Sequence, residues 1–347
     1  MSDNQLNVIT HGGFGFALAS SYDGEIDLVD QIEKTFRFEA TESVPYWITM
    51  DDSVDERITS ELGSEEWKEG IRPYIYGGHP VGSMDYAEVV GPDSILDAFG
   101  TTLRKGNIIH VIDYPLKEAS MAGYEWPDPE LLADWDGLAE QFEQTKGAYR
   151  ACGISFGLFE RGWLLRGMNE LLMDMIENPA FVHRLFDEYA EYKMRVLTMI
   201  DERIPCEAII GGGDDCDQRG PMMGLERWRE FIRPGLERII GHTHSLGKPY
   251  IAHMCGNVMP IVDDLMEMGL DVLESLQPEA MDVYELKKKT YGRMALIGGL
   301  GAQSSLPQGT PEEIRAEVRR LKEELGSGGG YVLSSAKPIM DDVPTGN

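Results

Sequence analysis

The stretch KPYIAHMCGNVMPIVDDLMEMGLDVLESLQ (residues 248–277) holds one complete folding unit. It opens on a β-rich run, Lys248–His253, and closes on a second, Asp271–Leu276. Between them Met259–Met268 carries apolar residues at helical spacing and stops at Gly269, which can take the left-handed conformation that ends a helix. Two strands joined through a helix are parallel, because an antiparallel pair needs only a tight turn.

The same rhythm continues on both sides. Upstream, Cys206–Gly211 is β-rich and Glu226–Leu246 is helical up to Gly247. Downstream come a helix at Val283–Tyr291, a strand at Arg293–Ile297, a helix at Pro311–Leu325 and a strand at Gly330–Leu333. Thr310 caps the last helix, with Pro311 in its first turn. Val44–Met50, Asn107–Tyr114 and Ala151–Phe159 bring the apolar runs to eight. Near the start, Gly12–Phe16 reads as a loop and Glu25–Phe36 as an amphipathic helix, and Val54–Gly106 reads as strandless.

Strict alternation fits either a closed barrel or an open doubly wound sheet. Polar residues follow nearly every later strand: Asp214 and Asp215, His253 and Cys255, Gln277, Gln303 and Lys337. An open sheet gathers such residues at one switch point, whereas a barrel rings its mouth with them. The expected fold class is therefore α/β, a (β/α)8 TIM barrel with an N-terminal extension. One domain spans residues 1–347, and residues 1–100 cover one end.

Composition narrows the functional classes. A net charge of −29 repels nucleic acid and anionic membrane surfaces, so neither is expected as a partner. No apolar run is long enough to span a bilayer, and the opening residues MSDNQLNVIT lack a secretion signal. Four cysteines (Cys152, Cys206, Cys216 and Cys255) stand without framework spacing, which favours reduced thiols and a cytoplasmic setting. The loop Gly298–Gly301 matches neither a phosphate loop nor a dinucleotide fingerprint, so nucleotide cofactors are not expected.

His253-Met254-Cys255 is the sharpest chemical feature. Residues i and i+2 of an extended segment point the same way, so the strand exit presents an imidazole and a thiol together. Zn²⁺ favours that nitrogen and sulfur pair, and one further ligand would leave an open position. The alternative, that both side chains merely pack beside a loop, stays open. Further ligands must come from other strand ends, and the run Gly211–Asp217 offers Asp214, Asp215 and Cys216. Glu160 closes the third run as an acid, a ligand or half of a helix-locking ion pair. Glu274 is either inward and functional or paired with a basic neighbour. Met168, Met173 and Met175 read as core packing.

Several segments together resemble the uroporphyrinogen decarboxylase superfamily, in its corrinoid-dependent methyltransferase branch. They include DAFGTTLRKG (97–106), YPLKEASMAGYEWPDP (114–129), GDDCDQRGPMMGLERWREFIRPGLERI (213–239), HMCGNVMPIVDDLMEMGLDVLESLQPEAMD (253–282) and GGGYVLSSAKPIMDDVPTGN (328–347). The resemblance implies a (β/α)8 barrel. True decarboxylases of the group carry an N-terminal arginine-rich motif for the porphyrinogen carboxylates, and nothing like it precedes residue 50. Methyltransferase members carry a zinc site of His-x-Cys plus a distant Cys. His253 and Cys255 match the first half. The distant position falls at Ser335-Ala336-Lys337, which lacks a cysteine.

The resemblance thus implies a methyltransferase moving a methyl group from a small methylated substrate, an aryl methyl ether, to the cobalt of a corrinoid held by a partner corrinoid protein. Zn²⁺ and the corrinoid (cobalamin) are the expected cofactors, with His253 and Cys255 as metal ligands. Asp215, Glu160 and Lys337 are the expected catalytic acids, and Gln277, Asp214 and Gln218 the expected substrate-binding residues, Asp214 also standing as a possible ligand. The rivals are a methyl-corrinoid:thiol methyltransferase, a decarboxylase acting on a different acid, and a corrinoid-binding module without turnover.

Overall fold

The structure, a computed structural model, describes residues 26–68, 71–81, 87–104, 110–131 and 133–347. The Gly12–Phe16 loop lies outside these residues. Eight strands form one parallel sheet: β1 (Tyr46–Trp47), β2 (Ile75–Val81), β3 (Tyr149–Ile154), β4 (Ala208–Gly212), β5 (Tyr250–His253), β6 (Val272–Leu276), β7 (Ala295–Leu300) and β8 (Tyr331–Ser335). They pair in the order β1-β8-β7-β6-β5-β4-β3-β2. Between the two end strands, the backbone N–H of Tyr74 donates to the Tyr46 carbonyl at 2.9 Å. The chain is a (β/α)8 barrel.

Alternation along the strands explains its two cores. Ile75, Ala151, Ile210, Ile251, Val272, Ile297 and Val332 point inward and pack as one buried cluster. Leu28 and Ile32 of the helix Leu28–Phe36 join that cluster, so this helix closes the N-terminal end of the barrel. The outward residues meet the helices, chief among them Pro179–Arg203 and Arg233–Ser245.

Most of the later elements fall where periodicity put them, from β3 through the helix Pro311–Glu324. That helix starts with a reciprocal Thr310–Glu313 capping box. Three expectations fail. Residues 54–106 are not strandless, because β2 lies there. Its sequence IYGGHPV carries two glycines and a proline and so hides its alternation. Asn107–Tyr114 yields a strand, His110–Asp113, but not one of the barrel. It is the edge of a four-stranded antiparallel sheet with Ala87–Gly91, Ser94–Asp97 and Thr102–Arg104. Ile95 and Leu103 of this sheet pack on Leu164 and Phe156, just beyond the C-terminal end of β3. A buried Asp97–Arg161 ion pair at 3.1 Å fastens it there. Of the three methionines read as core, only Met175 is buried, while Met168 and Met173 face solvent.

Candidate metal centre at the barrel mouth

β4, β5 and β6 lie side by side, and their register sets the site. His253 pairs with Gly212 on one side and with Glu274 on the other. Ile251 and Val272 point into the barrel, so His253 and Glu274, two residues on, do so as well. Glu274 Oε2 meets His253 Nδ1 at the site's base. That contact leaves His253 Nε2 facing outward, 3.5 Å from Cys255 Sγ and 3.9 Å from Asp214 Oδ1. One ligand atom from each of Asp214, His253 and Cys255 lies within 4.8 Å of the other two.

The loops are held open by specific contacts. The Cys255 N–H donates to Asp214 Oδ1 at 3.3 Å, which orients the carboxylate toward the thiol. Gly256 takes φ 83°, and a Cβ there would stand 2.5 Å from the Cys216 carbonyl oxygen. Its N–H donates to Gln277 Oε1. Ser275 adopts φ 78° at a bulge in β6, donates to the Ala336 carbonyl and sits 3.8 Å from Cys255 Sγ.

These three side chains suit a zinc-type cation. They offer one oxygen, one nitrogen and one sulfur, with two negative charges between them when the thiol is ionised, and they leave room for a fourth ligand. The Glu274 contact fixes the imidazole tautomer that presents Nε2, as carboxylates behind metal-bound histidines do. Burial opposes a proton on His253, but the charges of Glu274 and Cys255 outweigh it and hold the imidazole pKa well above its usual value.

The other expected residues separate around this centre. Asp215 turns away from the thiol: it is 2% exposed, and its Oδ2 accepts from Trp228 Nε1 at 3.0 Å. Burial, then Glu160 and Asp214, push its pKa up to about 7. Glu160 Oε2 caps the next helix by accepting from the Gly157 N–H at 2.7 Å, and burial followed by Asp214 raises its pKa. Gln277 spends its carbonyl on Gly256. Gln218 is exposed on the turn of a two-stranded hairpin, Cys216–Asp217 with Gly220–Pro221. Lys337 follows β8, half-buried, and makes no ion pair among the described residues.

Two residues at the mouth carried no flag in the sequence. His79, at the end of β2, donates from Nδ1 to the Gly153 carbonyl at 3.3 Å, which leaves Nε2 as an acceptor. Burial depresses its pKa to about 4. The glycines and proline that hid β2 hid this histidine too. Lys193 lies on the buried face of the helix Pro179–Arg203, with Tyr189, Val196 and Leu197. A lysine at core spacing was the signal available.

The sequence profile of the uroporphyrinogen decarboxylase (URO-D) family matches residues 95–347, well over half of the chain. The chain belongs to the URO-D family. Among solved structures, this URO-D member is similar to a methyltransferase from Methanosarcina mazei, with a TM-score of 0.71 and 16% identity over 92% of this chain and 96% of that one. It is also similar to a D-psicose 3-epimerase (TM-score 0.36, 13% identity, 58% of this chain and 70% of that one). A xylanase B from Clostridium stercorarium F9 aligns with a TM-score of 0.38 and 13% identity, over 59% of this chain and 73% of that one. The first likeness is one of fold, and the other two bear on neither fold nor function. No curated protein matches the chain. No helix among the described residues is long and apolar enough to cross a membrane.

Proposed function

We propose that this URO-D family member is a cytoplasmic, zinc-dependent methyltransferase that takes a methyl group from a small methylated substrate, an aryl methyl ether, and passes it to the cobalt of a corrinoid carried by a separate protein. The convergence of Asp214, His253 and Cys255 carries the reading. The fold likeness to a methyltransferase supports it. A bound zinc ion would supply Lewis acidity to the ether oxygen, where the barrier to demethylation lies in expelling an oxyanion. Asp214 in place of a second thiolate gives a harder donor set, which draws less charge onto the metal than two sulfurs would.

The chain's own groups have separate tasks. Glu274 holds the His253 ring so that Nε2 faces the ligand position. Gln277 and Gly256 fix the loop that carries Cys255. Glu160 is a candidate acid beside Asp214, its pKa raised by burial and then by the Asp214 charge. Lys337 supplies positive charge beside the mouth for the departing oxyanion. Gln218, exposed on the hairpin turn, is the proposed contact for the outer part of the substrate.

The test combines metal analysis with turnover. Purified protein holds close to one equivalent of zinc, and Cys255→Ser with His253→Ala removes it, since such sites bind with of order ten kcal/mol. Methyl transfer from an aryl methyl ether requires a corrinoid protein reduced to Co(I) and no added thiol. Methylation of a free thiol from methyl-corrinoid, with ethers inert, would replace this reading with the reverse reaction. Release of carbon dioxide from a carboxylate substrate would replace it with decarboxylation.

A further inference from the structure

Lys193 sits inside the protein without belonging to the metal triad. It is 1% exposed on a helix face whose neighbours Tyr189, Ala190, Val196 and Leu197 pack as core. An ammonium is costly to bury, so filling space does not explain it. Its Nζ donates to the Phe156 carbonyl at 2.6 Å and to the Ile154 carbonyl at 3.4 Å. Burial lowers its pKa to about 7, against the negative charge that Glu160 and Asp215 supply nearby. Tyr189, one helical turn earlier, donates its hydroxyl to the same Phe156 carbonyl at 3.2 Å and to Ser155 at 3.4 Å.

Phe156 needs such support. Its φ of 62° is left-handed, a conformation that costs a bulky residue strain and persists only where surroundings impose it. The turn it makes presses directly on the exit of β4. A Cβ on Gly157 would stand 2.5 Å from Gly213 Cα, and one on Gly212 would stand 3.3 Å from the Phe156 nitrogen. Backbone touches backbone, and the next residue is Asp214.

We propose that Lys193 is a positioning residue for Asp214: by fixing the Phe156 carbonyl it sets the turn against which Gly212–Gly213 is seated, and so places the carboxylate in the triad. The inference rests on the metal reading above. Zinc itself is the probe, added to the full-length chain after chelation, with the dissociation constant read by chelator competition. Lys193→Met weakens zinc binding tenfold or more, and Tyr189→Phe weakens it less, in the same direction. Gly157→Ala, which pushes on Gly213 from the turn side, also weakens binding. In the metal-free protein, Lys193→Met speeds hydrogen exchange at the Asp215 amide, which is bonded to the Gly213 carbonyl, and leaves the Ile251 amide in β5 unchanged.

Zinc affinity within twofold of wild type in Lys193→Met, with unaltered exchange at Asp215, would reduce Lys193 to packing. If Lys193→Met does not fold, Lys193→Gln, which keeps a donor, and Tyr189→Phe carry the same comparison. If the wild type takes up no zinc, the metal reading fails, and the exchange rates alone decide whether Lys193 holds the turn.

Discussion

His253 and Glu274 occupy the same register on adjacent parallel strands, and the imidazole Nδ1 meets the carboxylate Oε2. A hydrogen-bonded carboxylate behind a metal-bound histidine fixes its ring and raises its basicity. Glu274→Gln therefore weakens zinc binding by about 10–100-fold. Chelator competition measures it, and unchanged affinity would show that the pair serves only the strand junction.

Asp214 and Asp215 are sequence neighbours with opposite surroundings. Asp214 Oδ1 faces His253, whereas Asp215 Oδ2 is held by Trp228. Asp214→Asn should strip most of the zinc, and Asp215→Asn should leave one equivalent bound. Metal analysis of the two variants side by side decides which carboxylate belongs to the centre. The reverse result would move the site toward the helix layer.

Gly256 is the one position in the ligand loop that cannot carry a side chain. Alanine there must leave φ 83° and push its Cβ away from the Cys216 carbonyl. We expect Gly256→Ala to lose zinc while the far-ultraviolet circular dichroism stays that of a barrel. A variant that binds zinc like wild type would mean that the Cys255 loop tolerates a different path.

His79 sets an acid limb on stability. Its folded pKa of about 4 lies below the ordinary histidine value, so the unfolded chain binds the extra proton first. The stability it contributes is complete above the unfolded value and is lost as pH falls toward 4. Allowing for its partial exposure, the loss is roughly 1–3 kcal/mol. His79→Gln should flatten that limb in urea melts from pH 6.5 to 4.5, and an unchanged slope would assign it to other groups.

Lys337 stands after β8 with no ion-pair partner among the described residues, while Asp341 bonds to Ser53 at 2.9 Å. If its ammonium meets the departing oxyanion, Lys337→Ala lowers methyl transfer well over tenfold, above about 1.4 kcal/mol in the barrier. Zinc content should not change. Full turnover in the variant would leave Lys337 a role in holding the C-terminal segment.

The β5–β6 unit was legible because its strands and helix each obey one period and end at Gly269. His253 and Cys255 were legible as a pair because residues i and i+2 of an extended segment point the same way. The partnership of His253 with Glu274 was not, since it depends on the register between two strands, which no single strand encodes. Asp215 shows the same limit from the other side. Sequence placed it at the mouth with Asp214, but a carboxylate's direction after two glycines depends on what its neighbours leave unpaired, here the Trp228 indole. β2 escaped because glycine and proline erase the alternation on which a strand is recognised.

The seam between β1 and β2 gives the barrel one weak side. β1 is two residues long, and the Tyr74–Tyr46 bond ties it to the start of β2. β5 lies three strands away from the seam in one direction and four in the other. The barrel is therefore held least firmly at the joint between its first two strands, across from the arc of β4, β5 and β6 that carries the triad. A disturbance at that joint must cross β3 on one side, or β8 and β7 on the other, before it reaches the strands whose ends hold Asp214, His253 and Cys255.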